Sequence, residues 1–242
     1  MSIAEKLTTV AENVPKVYDS GKTAGIAIGK QAEYDTFWDS YQSAAKNQYR
    51  TYPAQFAGMG WDTNTFKPKY DIKPTNAYLL FYNNYVFGDL VEILNGLGVS
   101  LDTSRITSAQ YMFWLARFSR IGEIDLRSAQ ANIGATTQTF STANLITIDK
   151  LIVKDSNIFA SNMFSGASSL ANITIEGVVG DSISFKDSPL TKASITSIIN
   201  ALSSTATGKT ATFKKTAKEA AFTDDEWAAL IAQKTNWTIS LV

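Results

Sequence analysis

The 242-residue chain contains no cysteine and no histidine. Those absences exclude disulfides, cysteine-containing zinc sites, histidine-based catalytic triads and the side chain most often used as a general base. Without cysteine the chain is also insensitive to its redox compartment, so cysteine usage gives no location. No sign of charge dominates either, because 22 Lys and Arg balance 22 Asp and Glu. Bulk charge therefore makes no case for nucleic acid or an anionic membrane as a partner. The densest basic run, Lys209 to Lys218, is followed by Glu219, Asp224 and Asp225 and reads as a solvated loop. No stretch approaches the roughly 18 apolar residues of a membrane span. The opening MSIAEKLTTVAENV lacks the apolar core of a signal peptide. These features predict a chain made in the cytoplasm, with no membrane insertion. Gly21-Lys22-Thr23 is like the end of a phosphate-binding loop, but Lys16 stands where that motif needs glycine and no strand precedes it. No cofactor is predicted; carboxylate-only hydrolysis and a Mg²⁺ or Ca²⁺ site stay open on composition alone.

What is present is repetition. Four segments begin with a phenylalanine: FYNNYVFGDLVEI at Phe81, FWLARFSRIGEI at Phe113, FSTANLITIDKL at Phe140 and FSGASSLANITI at Phe164. Each closes on a large apolar residue with isoleucine three positions later: Leu90/Ile93, Phe118/Ile121, Leu145/Ile148 and Leu170/Ile173, spaced by 28, 27 and 25 residues. A period in the twenties with this core predicts a solenoid, in which no repeat buries its apolar face alone and stacked neighbours share one core. Strands are expected after each pair, at 98–102, 123–128, 150–155 and 179–185, with the phenylalanines and turns on the other side. Asn84, Asn132, Asn157 and Asn172 are candidates for satisfying buried backbone groups in turns.

Around this array the chain reads as follows. Residues 2–18 form a helix with Ser2 and Glu5 as a capping box, and Ile3, Leu7, Val10, Val14 and Val17 make a narrow seam at alternating steps of four and three. Pro15 ends or kinks it. The seam serves self-association or docking on a partner, or packs on its own domain. Residues 21–31 are a hinge or a weakly helical continuation. Residues 31–50 read as a helix whose Tyr34, Phe37, Trp38 and Tyr41 share a face and cover the first edge of the array. Residues 51–75 are a loop-rich connector with a short strand around Tyr70 and Ile72; Trp61 and Phe66 are candidate lids or ligand contacts. After Phe185 the array is expected to end. A helix then follows with Ser188 as cap and Pro189 at its first position. A strand at 210–213, a helix capped by Thr223 with Glu226, and a final strand TNWTISLV complete a C-terminal cap.

The fragments NMFSGASSLANITIEG (162–177) and TFSTANLITIDKLIV (139–153) resemble the BspA-like class of leucine-rich repeats. Ala143 and Ala167 stand in the small-polar run where that class often has cysteine, a packing residue there. The chain also resembles leucine-rich-repeat proteins encoded among structural genes of phages and prophages of Gram-positive bacteria. The stretches that carry this are the opening to Lys22, GKQAEYDTFWDSYQ, FKPKYDIKPTNAYLLF, SITSIINALSS and FTDDEWAALIAQKTNWTI. The resemblance implies a virion-associated or surface-recognition protein with no catalytic motif.

The fold class expected is α+β: a helical arm (1–50), the connector (51–75), a leucine-rich-repeat-like solenoid with parallel strands (76–202) and a helix–strand cap (203–242). The function expected is non-enzymatic: a tail, baseplate, fibre or capsid-decoration protein of a virion. It would join other virion proteins through Ile3, Leu7, Val10, Val14 and Val17, self-associate there, and present aromatics with Asn, Thr and Ser on its strand ribbon to a host-surface protein or glycan. A cell-wall glycosidase is the alternative. It needs two carboxylates about 5–10 Å apart, and Glu123, Asp125, Asp149, Asp155, Glu176 and Asp181 occupy repeat positions. An intracellular interaction scaffold is the third reading.

Overall fold

The computed structural model describes Arg50, Thr51 and residues 71–242 except 85. The predicted helices at 2–18 and 31–50, the hinge between them, Trp61, Phe66 and Tyr70 lie outside the described residues.

The chain is a mixed α and β structure in which every strand pairing is parallel. Strand β1 (Arg50–Thr51) pairs with β2 (Pro74–Asn76). A four-stranded sheet follows in chain order: β3 (Gly88–Asp89), β4 (Phe118–Asp125), β5 (Thr147–Val153) and β6 (Asn172–Gly177). A three-stranded sheet, again in chain order, holds β7 (Ile183–Phe185), β8 (Lys209–Phe213) and β9 (Trp237–Leu241). Four helices are described: α1 (Leu90–Leu97), α2 (Lys192–Ala201), α3 (Lys215–Ala221) and α4 (Asp224–Ile231). Parallel neighbours need a crossover between them, and in the four-stranded sheet each crossover carries a stretch of turns with a buried phenylalanine inside: Phe113, Phe140 and Phe164.

The predicted period holds the strands in register. Ile121 pairs with Ile148 and Ile148 with Ile173; three residues on in β4 and β5, and two on in β6 where the register shifts by one, Ile124 pairs with Leu151 and Leu151 with Ile175. All six side chains are buried. The strands therefore begin earlier than expected, because the closing pair already lies at the start of each strand: Phe118 is the first inward residue of β4, Ile148 of β5 and Ile173 of β6. The first repeat departs further. Leu90 and Ile93 belong to helix α1, not to an approach to a strand. Asp89 caps that helix by accepting from the N–H groups of Val91 and Glu92, and Gly98, at φ 69°, ends it in the left-handed conformation. Of the strand expected at 98–102, only a bridge from Leu101 to Ile72 forms.

A column of phenylalanines runs through the interior. Phe81, Phe113, Phe140, Phe164, Phe185 and Phe213 are all at most 1% exposed. Successive ring centroids lie 5.3, 5.9, 5.1, 4.4 and 6.3 Å apart, with planes within 33° of parallel. Trp227 closes the column edge-on to Phe213 at 6.1 Å. The array does not end at Phe185, as expected, because Phe185 and Phe213 extend the same column into the second sheet. Each fully buried phenylalanine contributes on the order of 3 kcal/mol, so the column is a large share of the core.

The turns also stack. Phe81 donates its N–H to Met112 O, Phe113 to Thr139 O and Phe140 to Met163 O, at 2.8–2.9 Å. Leu79, Asn83, Tyr111, Leu115 and Gln138 adopt positive φ between 47° and 57°. A left-handed residue other than glycine costs about 1 kcal/mol. The hydrogen bonds from Leu79 to Gln110, Asn83 to Trp114, Tyr111 to Thr137 and Leu115 to Ser141 offset it. Buried Asn84 accepts from Val86 N–H, and buried Asn157 accepts from Lys154 N–H while donating to Leu126 O. Asn132 caps a 3-10 turn at Ile133–Thr136. Asn172 instead sits exposed in β6.

Three C-terminal expectations need adjustment. Helix α2 is capped by Thr191, not Ser188, because the buried Ser188 hydroxyl is committed to Ala167 O. The run Lys209 to Lys218 is not a loop: its first half is β8, where Ala211 and Phe213 alternate inward, and its second half lies in α3. Lys218 is buried and pairs with Asp224. Helix α4 has the predicted capping box of Thr223 and Glu226, with Trp227 and Leu230 buried.

Candidate binding surfaces

The stack offers two sides, one built from strands and one from turns. On the strand side the side chains that alternate outward are mostly charged. Arg120 of β4 lies between Asp89 and Asp149: Nη1 donates to Asp89 Oδ2 at 2.8 Å, Nε to Asp149 Oδ1 at 2.7 Å and Nη2 to Asp149 Oδ2 at 2.8 Å. Lys150 of β5 lies between Glu176 at 2.9 Å and Glu123 at 3.3 Å. Each cation thus bridges carboxylates from the segment before and the segment after. Partial burial works against the Asp89 carboxylate, but the Arg120 hydrogen bond and the Glu92 and Val91 N–H groups outweigh it and hold its pKa low. The hydrogen bond to Glu176, then that to Glu123, raises Lys150.

Two of the other carboxylates singled out from sequence are also engaged, Asp125 and Asp181. Asp125, 4% exposed, accepts from the Arg127 guanidinium and from Arg127 N–H. Asp181 accepts from Lys209 Nζ at 2.8 Å and from Phe159 N–H. Burial pushes its pKa upward, and Lys209 with the Ser182 and Phe159 amides more than reverses that. Asp155 is exposed and lines a cavity of about 440 Å³ with Gly177, Val178, Ser204 and Lys234. Lys234 donates there to the α2 carbonyls Asn200 O and Leu202 O, the role of a basic residue at a helix C-terminus. Among the described residues no three acidic side chains converge as a metal site would require.

The turn side is different. In the turns at 77–84 and 109–116 the inward positions are Ala77, Leu80, Phe81 and Asn84, then Ala109, Met112, Phe113 and Ala116. The residues between them point outward, and four are large aromatics. Tyr82 and Trp114, each directly after a column phenylalanine, stack at 5.0 Å. Tyr111 meets Trp114 at 5.1 Å, and Tyr78 meets Tyr111 edge-on at 6.0 Å. Tyr78 is exposed, and Tyr82, Tyr111 and Trp114 are half-buried. Leu115, beside them in sequence, is 47% exposed. In the next two turns the residue after the phenylalanine is Ser141 or Ser165, so the aromatic rows continue as small polar ones.

The seam Ile3, Leu7, Val10, Val14 and Val17 lies outside the described residues. The exposed aromatics were expected on the strand ribbon. Among the described residues the aromatic cluster lies on the turns, and the ribbon carries charge. The signal was in the sequence: FY at 81–82 and FW at 113–114 place an aromatic directly after an inward phenylalanine, where the turn has already spent its inward pair on Leu80 and Phe81 or Met112 and Phe113. No helix among the described residues is long and apolar enough to cross a membrane. Against known proteins, the chain matches no family model, no curated protein and no solved structure.

Proposed function

We propose that the chain is a non-enzymatic binding component of a phage particle: a leucine-rich-repeat-like solenoid of the BspA-like kind that presents its turn side to a host-surface protein or glycan. The observation that carries the binding reading is the cluster Tyr78, Tyr82, Tyr111 and Trp114, four outward aromatics contributed by two stacked turns. Such rings supply contact area at low entropic cost, and the neighbouring Ser and Thr rows supply adaptable hydrogen bonds. The solenoid reading is supported by the in-register strands, the phenylalanine column and the turn-to-turn hydrogen bonds. The non-enzymatic reading is supported by the carboxylates. A glycosidase needs a carboxylic acid held at a raised pKa. Of the candidates, Glu123, Asp125, Asp149, Glu176 and Asp181 are each ion-paired with a lysine or arginine, and Lys209 with two backbone amides holds Asp181 below the usual carboxylate range. The place in a particle rests on the sequence resemblance, with the 1–50 arm as the attachment to other virion proteins or to further copies.

Gradient centrifugation of particles released by a producing strain tests the placement. The account expects the protein to band with intact particles and to remain with them after a high-salt wash. Recovery only from the soluble fraction overturns it.

A further inference from the structure

The chain leaves one strand edge sealed and another bare. At the outer edge of β6, helix α2 stands where another strand would pair. Ile173 N–H donates to Ser194 Oγ and Ile175 N–H to Ser197 Oγ, both at 2.9 Å. Two hydroxyls one helical turn apart thus replace the carbonyls of a neighbouring strand. The start of the sheet is handled alike, with Asp125 N–H donating to Thr103 Oγ1 at 2.7 Å.

Among the described residues nothing comparable covers β9, the last strand of its sheet. Val242 donates its N–H to Phe213 O and accepts from Lys215 N–H. Parallel pairing alternates, so Ser240 and Thr238 also turn their backbone toward β8, while Trp237, Ile239 and Leu241 turn theirs outward. Those outward groups make no hydrogen bond to any described residue. Bare edges are ordinarily blunted by lysine, proline or a bulge. The strand WTISL has none of these, and its register with β8 runs without a shift.

We propose that β9 is a self-association strand, pairing antiparallel with β9 of a second copy about a twofold axis at Ile239. The sequence suits that partner. Trp237 falls opposite the second copy's Leu241 and Thr238 opposite its Ser240, so apolar meets apolar and hydroxyl meets hydroxyl. No charge lies in the strand, so no like charges are brought together. Outward N–H and C=O groups at Trp237, Ile239 and Leu241 are spaced for exchange with the same groups of the copy. Using one edge per chain, the twofold pairing closes as a dimer. It buries a single five-residue strand pair, far less than the roughly 1,600 Å² of a standard interface, so the association is weak and depends on concentration.

Sedimentation velocity on the full chain from about 1 μM to about 1 mM reads this directly. The mass is expected to rise from 26.4 kDa toward twice that value. Thr238 is exposed and Ser240 half-buried on the outer side of the sheet, and circular dichroism checks that substitutions there leave the fold intact. T238K/S240K places lysine opposite lysine across the axis and is expected to shift the midpoint at least about tenfold higher. T238E/S240K places glutamate opposite lysine and is expected to restore association. A wild-type chain that stays at 26.4 kDa overturns the proposal. A curve unchanged by T238K/S240K also overturns it, placing association elsewhere, for example in the seam from Ile3 to Val17. A T238E/S240K chain as monomeric as T238K/S240K overturns the antiparallel register.

Discussion

The strand side and the turn side of this stack are built from the same repeat and end with opposite surfaces. On the strands, each outward cation finds a carboxylate on both neighbouring segments, as Arg120 does with Asp89 and Asp149 and Lys150 with Glu123 and Glu176. On the turns, Tyr78, Tyr82, Tyr111 and Trp114 meet one another among the described residues and remain partly exposed. In register stacking sets neighbours side by side, so a charge placed on one strand is answered by the next, and the ladder consumes its own polar groups. An outward aromatic has no such complement and leaves ring surface for something else. The proposed binding role therefore falls on the turns, where the outward side chains are large, and not on the strands, where they are charged and paired.

The largest effect expected is on what both sides share. Phe140→Ala, at the centre of the column, should lower stability by about 4 kcal/mol in urea unfolding and disturb both surfaces together. A loss under about 1 kcal/mol would mean that the column does not organise the fold. Ser194→Ala should cost about 2 kcal/mol, because the buried Ile173 N–H loses its acceptor and Ala171 O keeps only the Thr191 N–H, while neither surface changes. Loss of the Thr223 cap of α4 by Thr223→Ala should cost about 1 kcal/mol by the same assay.

The pH dependence is smaller and separates paired from unpaired carboxylates. The folded-state pKa of Asp181 is depressed, so its contribution is complete above the ordinary aspartate value and is lost as pH falls through the folded value. Asp181→Asn should therefore differ most from wild type at neutral pH and converge with it as pH falls through the depressed folded-state value. Stability curves that stay parallel down to pH 2 would show that Lys209 and the amides do not favour the charged form.

Much of this was legible in the chain. The period placed Phe81, Phe113, Phe140 and Phe164 together, because a column at one step per segment needs only spacing to be seen. Phe185 and Phe213 escaped because the segments between them contain helices α2 and, beyond Phe213, α3 and α4, which break the motif without breaking the stack. Leu90/Ile93 matched the pattern yet became helical, since Asp89 and Gly98 supply both caps and local capping outweighed the repeat. Lys218 was read as solvated because its partner Asp224 lies across the break between α3 and α4. The aromatic cluster was missed as a set, although Tyr82 and Trp114 each adjoin a column phenylalanine. Which residue of a Phe-Tyr or Phe-Trp pair turns inward follows only once the column is known.

The most direct test of the central claim is co-sedimentation with purified Gram-positive cell walls and with their protease-treated counterparts, for wild type, Trp114→Ala and Lys150→Ala. The account predicts that wild type and Lys150→Ala bind alike, while Trp114→Ala loses at least about tenfold in affinity with its fold retained. Survival of binding after protease treatment would identify a glycan, and its loss a surface protein. Binding that Lys150→Ala abolishes and Trp114→Ala leaves intact would contradict the account and move recognition to the strand side.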